Sequence, residues 1–447
     1  MPDLLELATQ VAGWAADGEE VEAYVARSSD TTVRVYDADV EAFSAADAEG
    51  VGIRMVIGGR QGFAYAGSLD PEVVADAFAE ARDNAGFGTV DEHAGVARPD
   101  GVTPAAMSIY DADLAGVSAD DKIALALDLE RRVKAGDSRI RTVPQTGYGD
   151  HIVEAAIATS TGVTTSWRRS RCSVSTYALA GEGEDTQTGG GYSVGQGWDD
   201  LDVDQAATDA IARATRMLGA AKPASARLPV VFEEQIAAQV LSIIGSTLSG
   251  DAVLKGRSLF ADRVGETVAA ASVTLVDDPT DTRAFGAGPS DAEGLASRRN
   301  TLIEDGVLLG FLYDSYSSRR AGVASTGSAV RGGFKGTPGV GCRALSVTPG
   351  SLATDDVFAS VGTGLFVQNV SGLHSGVNPV SGDFSVGAEG LMIRDGQLAE
   401  PVREFTIAST IQRMLQEIVV IGDTLEFRMA AAAGVILAIE SMSISGS

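Results

Sequence analysis

Lys222-Pro223-Ala224-Ser225-Ala226-Arg227-Leu228-Pro229 carries two prolines, small residues and no periodic apolar face, and so reads as a linker. It divides the chain into two unlike parts. Before it, helical and alternating stretches take turns. After it comes a long series of short strands punctuated by Gly, Pro and Asp. The expectation is an α+β protein, with α/β units at the amino end and a large β-rich carboxyl-terminal domain.

Upstream of the linker, residues 1–110 are expected to form one compact α+β domain. Leu4, Leu7, Val11 and Trp14 recur at helical spacing. Residues 22–26, 32–36 and 51–56 alternate as strands, and a hairpin across Gly58-Gly59 joins the last to 61–66. Asp70-Pro71 supplies an N-cap and a first-turn proline for a helix to about Asn84. A middle α+β domain, 111–222, opens with Ser118-x-x-Asp121, a capping box with Asp in place of Glu, ahead of Ile123, Leu127 and Leu129. Residues 152–159, 164–167 and 172–180 then read as a sheet and 204–218 as a return helix. The third domain, 228–447, starts with a strand over 228–231 and a helix over 234–248. Ile236, Val240, Leu241, Ile244 and Leu248 give that helix an apolar stripe.

Of 447 residues, 61 are acidic and 34 basic, a formal charge of −27. Phosphate binding needs clustered Lys and Arg, and the longest basic run is Trp167-Arg168-Arg169-Ser170-Arg171, so no nucleic-acid partner is expected. An anionic membrane surface would repel the chain as well. Two cysteines, no leader-like start and no apolar run near the ~18 residues of a span point to a soluble cytoplasmic protein.

The candidates for chemistry are few. Gly191-Tyr192-Ser193-Val194-Gly195 fits Gly-x-Ser-x-Gly letter by letter, but the polar glycine run before it and the absence of a helix after it make a flexible loop the expectation. Cys172 falls in a strand as a small buried hydrophobe, and Cys342 lies in a glycine loop, open to reaction. His93, His151 and His374 are the only imidazoles and are too scattered to share a helix face around zinc. Asp277-Asp278-Pro279 and Asp291-Ala292-Glu293-Gly294 could offer oxygens to a hard cation such as Mg²⁺ or Ca²⁺, although both are also ordinary turn chemistry. Arg298, Arg299, Arg319 and Arg320 could hold a peptide carboxylate, with salt bridging to those acids the plainer reading.

Several stretches in order resemble the TldD/PmbA family across essentially the whole chain, closest to its TldE (PmbA) branch. They begin with Gly50-Val51-Gly52-Ile53-Arg54 and Gly59-Arg60-Gln61-Gly62-Phe63, and continue through Ser249-Gly250-Asp251, Asp277-Asp278-Pro279 and Asp291-x-Glu293-Gly294. Leu302-Ile303-Glu304-Asp305-Gly306-Val307-Leu308, Ser325-Thr326-Gly327-Ser328-Ala329, Ser381-Gly382-Asp383-Phe384-Ser385, Ile393-Arg394-Asp395-Gly396 and Pro401-Val402 complete the series. The resemblance implies a cytoplasmic zinc peptidase built as a TldD and TldE heterodimer, acting on unfolded or extended peptides. In the TldD subunit a helix carries His-Glu-Ala-Val-Gly-His-Ala-Leu-Glu-Gly-Asp, and a carboxyl-terminal cysteine completes the zinc shell.

Setting the shared Gly-Asp on Gly250-Asp251 puts Leu241 and Ser246 under the two histidines and Ser242 under the glutamate, while Gly245 and Leu248 match. No cysteine follows residue 342. What this implies is a subunit without zinc of its own, paired with a TldD-like chain that holds the metal, or a homodimer in isolation. Peptides would add to a strand edge near Gly382, Asp383 and Phe384. The rivals are a self-sufficient homodimeric hydrolase using a metal at Asp277, Asp278, Asp291 and Glu293 or the thiol of Cys342, and a gyrase-linked regulator that makes no direct DNA contact.

Overall fold

A computed structural model describes residues 3–447 and shows a mixed α+β protein. The amino-terminal half rests on six strands, β1 (Glu19–Tyr36), β2 (Asp39–Ile57), β3 (Arg60–Ala66), β4 (Ile140–Thr159), β5 (Thr164–Ala180) and β6 (Gln187–Gly195). They form one antiparallel sheet in the order β3-β2-β1-β4-β5-β6. The boundary expected at residue 110 therefore separates two halves of one sheet.

The strands are longer than the sequence suggests. Residues 22–26 and 32–36, expected as two strands, are both part of β1, which is 18 residues long. Polar Arg27 to Thr31 look like a turn, yet β1 is paired along this stretch with β2 on one side and β4 on the other. Two ladders of hydrogen bonds hold the backbone extended there whatever the local propensity.

Successive strand residues point to opposite faces. On one face, Val21, Ala23 and Val25 pack against helices α1 (Leu4–Ala12) and α2 (Pro71–Phe87), and Val33 and Val35 against α3 (Ala119–Gly136) and α4 (Val203–Thr215). The expected caps are present. Asp70 accepts from Glu72 N, and Ser118 Oγ accepts from Asp121 N at 3.1 Å. The other face carries Glu22, Tyr24 and Ala26, and it receives the carboxyl-terminal half through Phe334.

Gly191 to Gly195, expected as a loop, belong to edge strand β6. A Cβ at Gly191 would stand 1.8 Å from Ala206 O, so the glycine run is what allows α4 to lie directly on the strand.

Beyond the linker, β7 (Ala226–Phe232) already begins inside the stretch expected to be unstructured. Pro229 has no N–H for the ladder, and the pairing opposite it breaks register between Ile439 and Met442. Then come α5 (Glu234–Thr247) and α6 (Gly250–Leu254). Short strands β8 (Leu275–Asp277), β9 (Asn300–Glu304) and β10 (Val307–Leu308) precede α7 (Ser315–Ala321). The ribbon β11 (Ala329–Val330) and β12 (Gly339–Val340) leads to β13 (Leu345–Val347), which joins the sheet β10-β9-β8-β13.

After α8 (Thr354–Val361) come β14 (Gly364–Ser371), β15 (Asp383–Arg394), β16 (Gln397–Thr410), β17 (Ile418–Ile421) and β18 (Leu437–Ser445). The sheet order is β16-β15-β14-β7-β18-β17, and β16 also pairs with β18, closing β7, β14, β15, β16 and β18 into a ring. Closure removes free edges. Val230 and Phe232 face one side of the ring with α5, and Val231 faces the other with α8.

No helix among the described residues is long and apolar enough to cross a membrane.

Candidate functional site

Helix α5 holds the positions that the family motif singles out. Leu241 is 1% exposed and lies in the largest apolar core, beside Ile236, Val240 and Ile244. Ser242 and Ser246 are exposed, one turn apart, and each hydroxyl donates back into its own helix, to Ala238 O at 2.9 Å and Ile243 O at 2.6 Å. Gly245 is needed for packing: a Cβ there would lie 2.7 Å from Leu345 and 2.8 Å from the Cys342 sulfur.

The four candidate carboxylates are spoken for by backbone and arginine. Asp291 accepts from Glu293 N, Leu295 N and Ala329 N at 2.9–3.0 Å. Asp277 Oδ1 accepts from Arg343 N and Ala344 N, while its Oδ2 is buried without a partner. Asp278 caps the turn at Thr280 and meets Arg299 at 3.5 Å. Glu293 accepts from Ser315 N at 2.8 Å and from Arg54 at 3.1 Å. Burial pushes Asp277 above the ordinary carboxylate range; it does the same to Asp291 and Glu293, which also repel each other or nearby acids. Among the described residues no three His, Cys, Asp or Glu side chains come together to hold a metal ion.

The sequence reading missed the charge cluster around Glu293. Glu22 and Arg54 face each other across β1 and β2, and their 2.6 Å ion pair is extended by Glu293 on one side and Arg331 on the other. All four side chains are at most 5% exposed. Burial raises the Glu22 pKa, but Arg331 and Arg54 outweigh it and hold the group at about 2. Strand periodicity offered a signal, because Arg54 interrupts the apolar run Val51 to Val56 on the face opposite Ile53 and Met55.

Two clefts flank this cluster, between the sheet and the carboxyl-terminal half. One, of about 910 Å³, mixes acids and bases, including Asp91, His93, Asp251, Asp314 and Arg320. Here Tyr316 donates to Asp91 at 2.7 Å, and Lys255 pairs with Asp251 at 2.8 Å. The other, of about 740 Å³, is walled by Tyr24, Trp167, Phe285 and Phe334, with Arg169 and Arg343 among them.

The remaining candidates fall elsewhere. Ser193 lies within β6 and accepts from Asp202 N at 2.9 Å, so it has no elbow geometry. Cys342 is half-buried, and burial pushes its thiol well up, contrary to the expected open, reactive loop. Cys172 is buried and its thiol is pushed up to about 12, by burial first and then by nearby acids. His93 and His151 line different clefts, and His374 sits in the turn Leu373–Gly376. Arg298 and Arg299 pair with Asp100 and Asp278, whereas Arg319 donates to the carbonyls of His93 and Gly95 and Arg320 lies over Tyr316. The strand edge expected at Gly382, Asp383 and Phe384 is not free. Asp383 and Phe384 pair with Thr410 and Ser409 of β16, Phe384 also bridges to Val377, and its side chain is 1% exposed in the core.

The PmbA/TldA metallopeptidase domain 1 model matches residues 21–85, the central domain 112–218 and the C-terminal domain 225–446. The chain is 28% identical over 450 residues to the metalloprotease PmbA of Escherichia coli O157:H7, covering 100% of this chain and 96% of that protein. It is 27% identical over 447 residues to a PmbA homolog of Haemophilus influenzae, covering 99% and 94%. The crystal structure of TldE from Thermococcus kodakarensis superposes with a TM-score of 0.89 at 22% identity, covering 99% of this chain and 100% of that one. With three consecutive domains matched in order, the chain belongs to the TldD/PmbA metallopeptidase family and is PmbA/TldE-like within it.

Proposed function

We propose that this chain is a non-catalytic subunit that pairs with a TldD-like zinc peptidase in the cytoplasm and holds unfolded or extended peptides beside the partner's metal. One observation carries the reading. The helix that would present two zinc ligands and a general base presents Leu241, Ser242 and Ser246. A core leucine has no lone pair for zinc, and two serine hydroxyls bonded to their own helix are poor neutral donors. Neither serine can serve as the base that activates a metal-bound water. The residues present do not fit the zinc that the family implies.

What this chain contributes is surface. The carboxyl-terminal ring is closed against strand addition, and the two clefts that flank the buried charge cluster are where an extended peptide is placed in this reading. The test is to purify the chain alone and with a TldD-like partner, then measure bound zinc and cleavage of an unstructured peptide. The lone chain is expected to be zinc-free and inactive, and the mixture active. Stoichiometric zinc together with turnover by the lone chain would defeat the proposal.

A further inference from the structure

Strand β5 places Trp167, Arg169 and Arg171 on the sheet face that meets the carboxyl-terminal half. In so acidic a chain most arginines find a carboxylate. Arg169 and Arg343, both half-buried in the 740 Å³ cleft, find none within ion-pairing distance among the described residues. Arg169 donates one long bond, to Ala287 O at 3.4 Å, and its guanidinium carbon lies 5.2 Å from the centre of the Trp167 ring. Arg343 donates to Ser297 Oγ at 2.7 Å. A guanidinium has five N–H donors, so most of both sets is unspent.

The nearby acids make no ion pair with either guanidinium; Asp277 accepts only from the Arg343 and Ala344 backbone amides. Asp291 is wrapped by three backbone amides, Glu22 holds Arg331, and His151 on the same wall pairs with Asp30 at 2.6 Å. Beneath the cleft, Arg171 is buried as well and spends its donors on Ala284 O at 2.8 Å and Ser170 O at 3.1 Å. Three guanidiniums thus share one region without a direct ion pair, although Asp291 and Asp277 lie near enough to act on Arg343 and Asp200 on Arg171. Burial, and then the neighbouring Arg343, pull the Arg169 pKa down, and burial does the same to Arg343 against the opposing pull of Asp291 and Asp277. Such a deficit is relieved by an anion that brings its own charge.

We propose that Arg169 and Arg343 form a binding site for a carboxylate carried by a peptide. The guanidinium fork matches the two oxygens of a carboxylate, and the aromatic walls suit the chain that bears it. The inference rests on the peptide-holding reading above and gives that reading a polarity. The carboxylate is either the free carboxyl terminus of the peptide or an Asp or Glu side chain.

The experiment is fluorescence anisotropy on the full chain with a short Ala/Tyr peptide, labelled at its amino end with an uncharged BODIPY dye, in three forms. One has a free carboxyl terminus, one a terminal amide, and one a terminal amide with an internal Glu. At least one acid form is expected to bind about 10-fold tighter than the neutral amide, and the tighter one names the source. Acetate should displace the acid form from the unaltered protein. Arg169→Gln and Arg343→Gln should each erase the preference while leaving the circular dichroism spectrum unchanged. Equal binding of acid and neutral forms overturns the carboxylate site and leaves the peptide reading standing. A preference that survives in the double variant, or in the presence of excess acetate, also overturns it. If no form binds, the peptide reading falls with it.

Discussion

Arg54 bridges two buried carboxylates, and its loss isolates one of them. Glu22 keeps Arg331, but Glu293 retains only the Ser315 amide. Breaking a buried pair by removing one partner typically costs about 3–5 kcal/mol, because the remaining charge stays in a low dielectric. Arg54→Met is therefore expected to lower the urea midpoint by that equivalent, and Arg54→Met/Glu293→Gln to recover part of it. Equal loss in the single and double variants would show that the charge of Glu293 is not what the arginine compensates. The thiols give a second check at this scale. With both pushed up by burial, iodoacetamide at neutral pH should label Cys172 and Cys342 only after unfolding. Rapid labelling of Cys342 in the native protein would restore the thiol hydrolase as a contender.

At the scale of elements, what could be read depended on how local the signal was. The caps at Asp70 and Ser118 and the apolar stripe of α5 sit within a few residues of what they control, and the helices follow from them. Strand length is set by partners far away, so local pattern alone splits β1 into two strands and leaves β6 a loop. The vacancies at Leu241, Ser242 and Ser246 follow from the family resemblance set on Gly250-Asp251, whereas the Arg54 to Glu293 contact joins positions 239 apart and needs the fold. Leu241→Ala should cost about 2–5 kcal/mol through the cavity it leaves. Ser242→Ala and Ser246→Ala should stay within about 0.5 kcal/mol and leave turnover by the paired complex unaltered. A large loss of turnover from either serine would argue for a catalytic role on this helix. Docking of the two halves is tested at Gly52, where a Cβ would stand 2.2 Å from Phe334 O. Backbone against backbone cannot give way cheaply, so Gly52→Ala should destabilise by about 1–3 kcal/mol, while Gly67→Ala, with nothing within 4 Å, should be mild. Similar losses at both would remove the docking argument.

Over the whole molecule, the buried acids oppose one another in their response to pH. Asp277 lies above the ordinary carboxylate range because burial outweighs the two amides that bond it. Between the unfolded value of about 4 and that higher value, the folded chain keeps a proton that the unfolded chain has released. Stability therefore falls as pH rises across that window and is level above it. Asp291 and Glu293, raised chiefly by burial, act in the same direction, and so does the self-repulsion of a chain at −27. Glu22 works the other way. Held at about 2, it contributes stability that is present above its unfolded value and lost as pH drops toward 2. Urea midpoints should thus peak at about pH 4–5 and decline toward neutrality, not plateau there. Asp277→Asn keeps an oxygen for the Arg343 and Ala344 amides and removes the need to ionise, so it should flatten the decline without shifting the acid limb. An unaltered protein whose midpoint climbs steadily from pH 4 to 7 would mean that these carboxyls ionise freely in the fold. In that case the cluster beneath the clefts would be held by solvent and not by the contacts between the two halves.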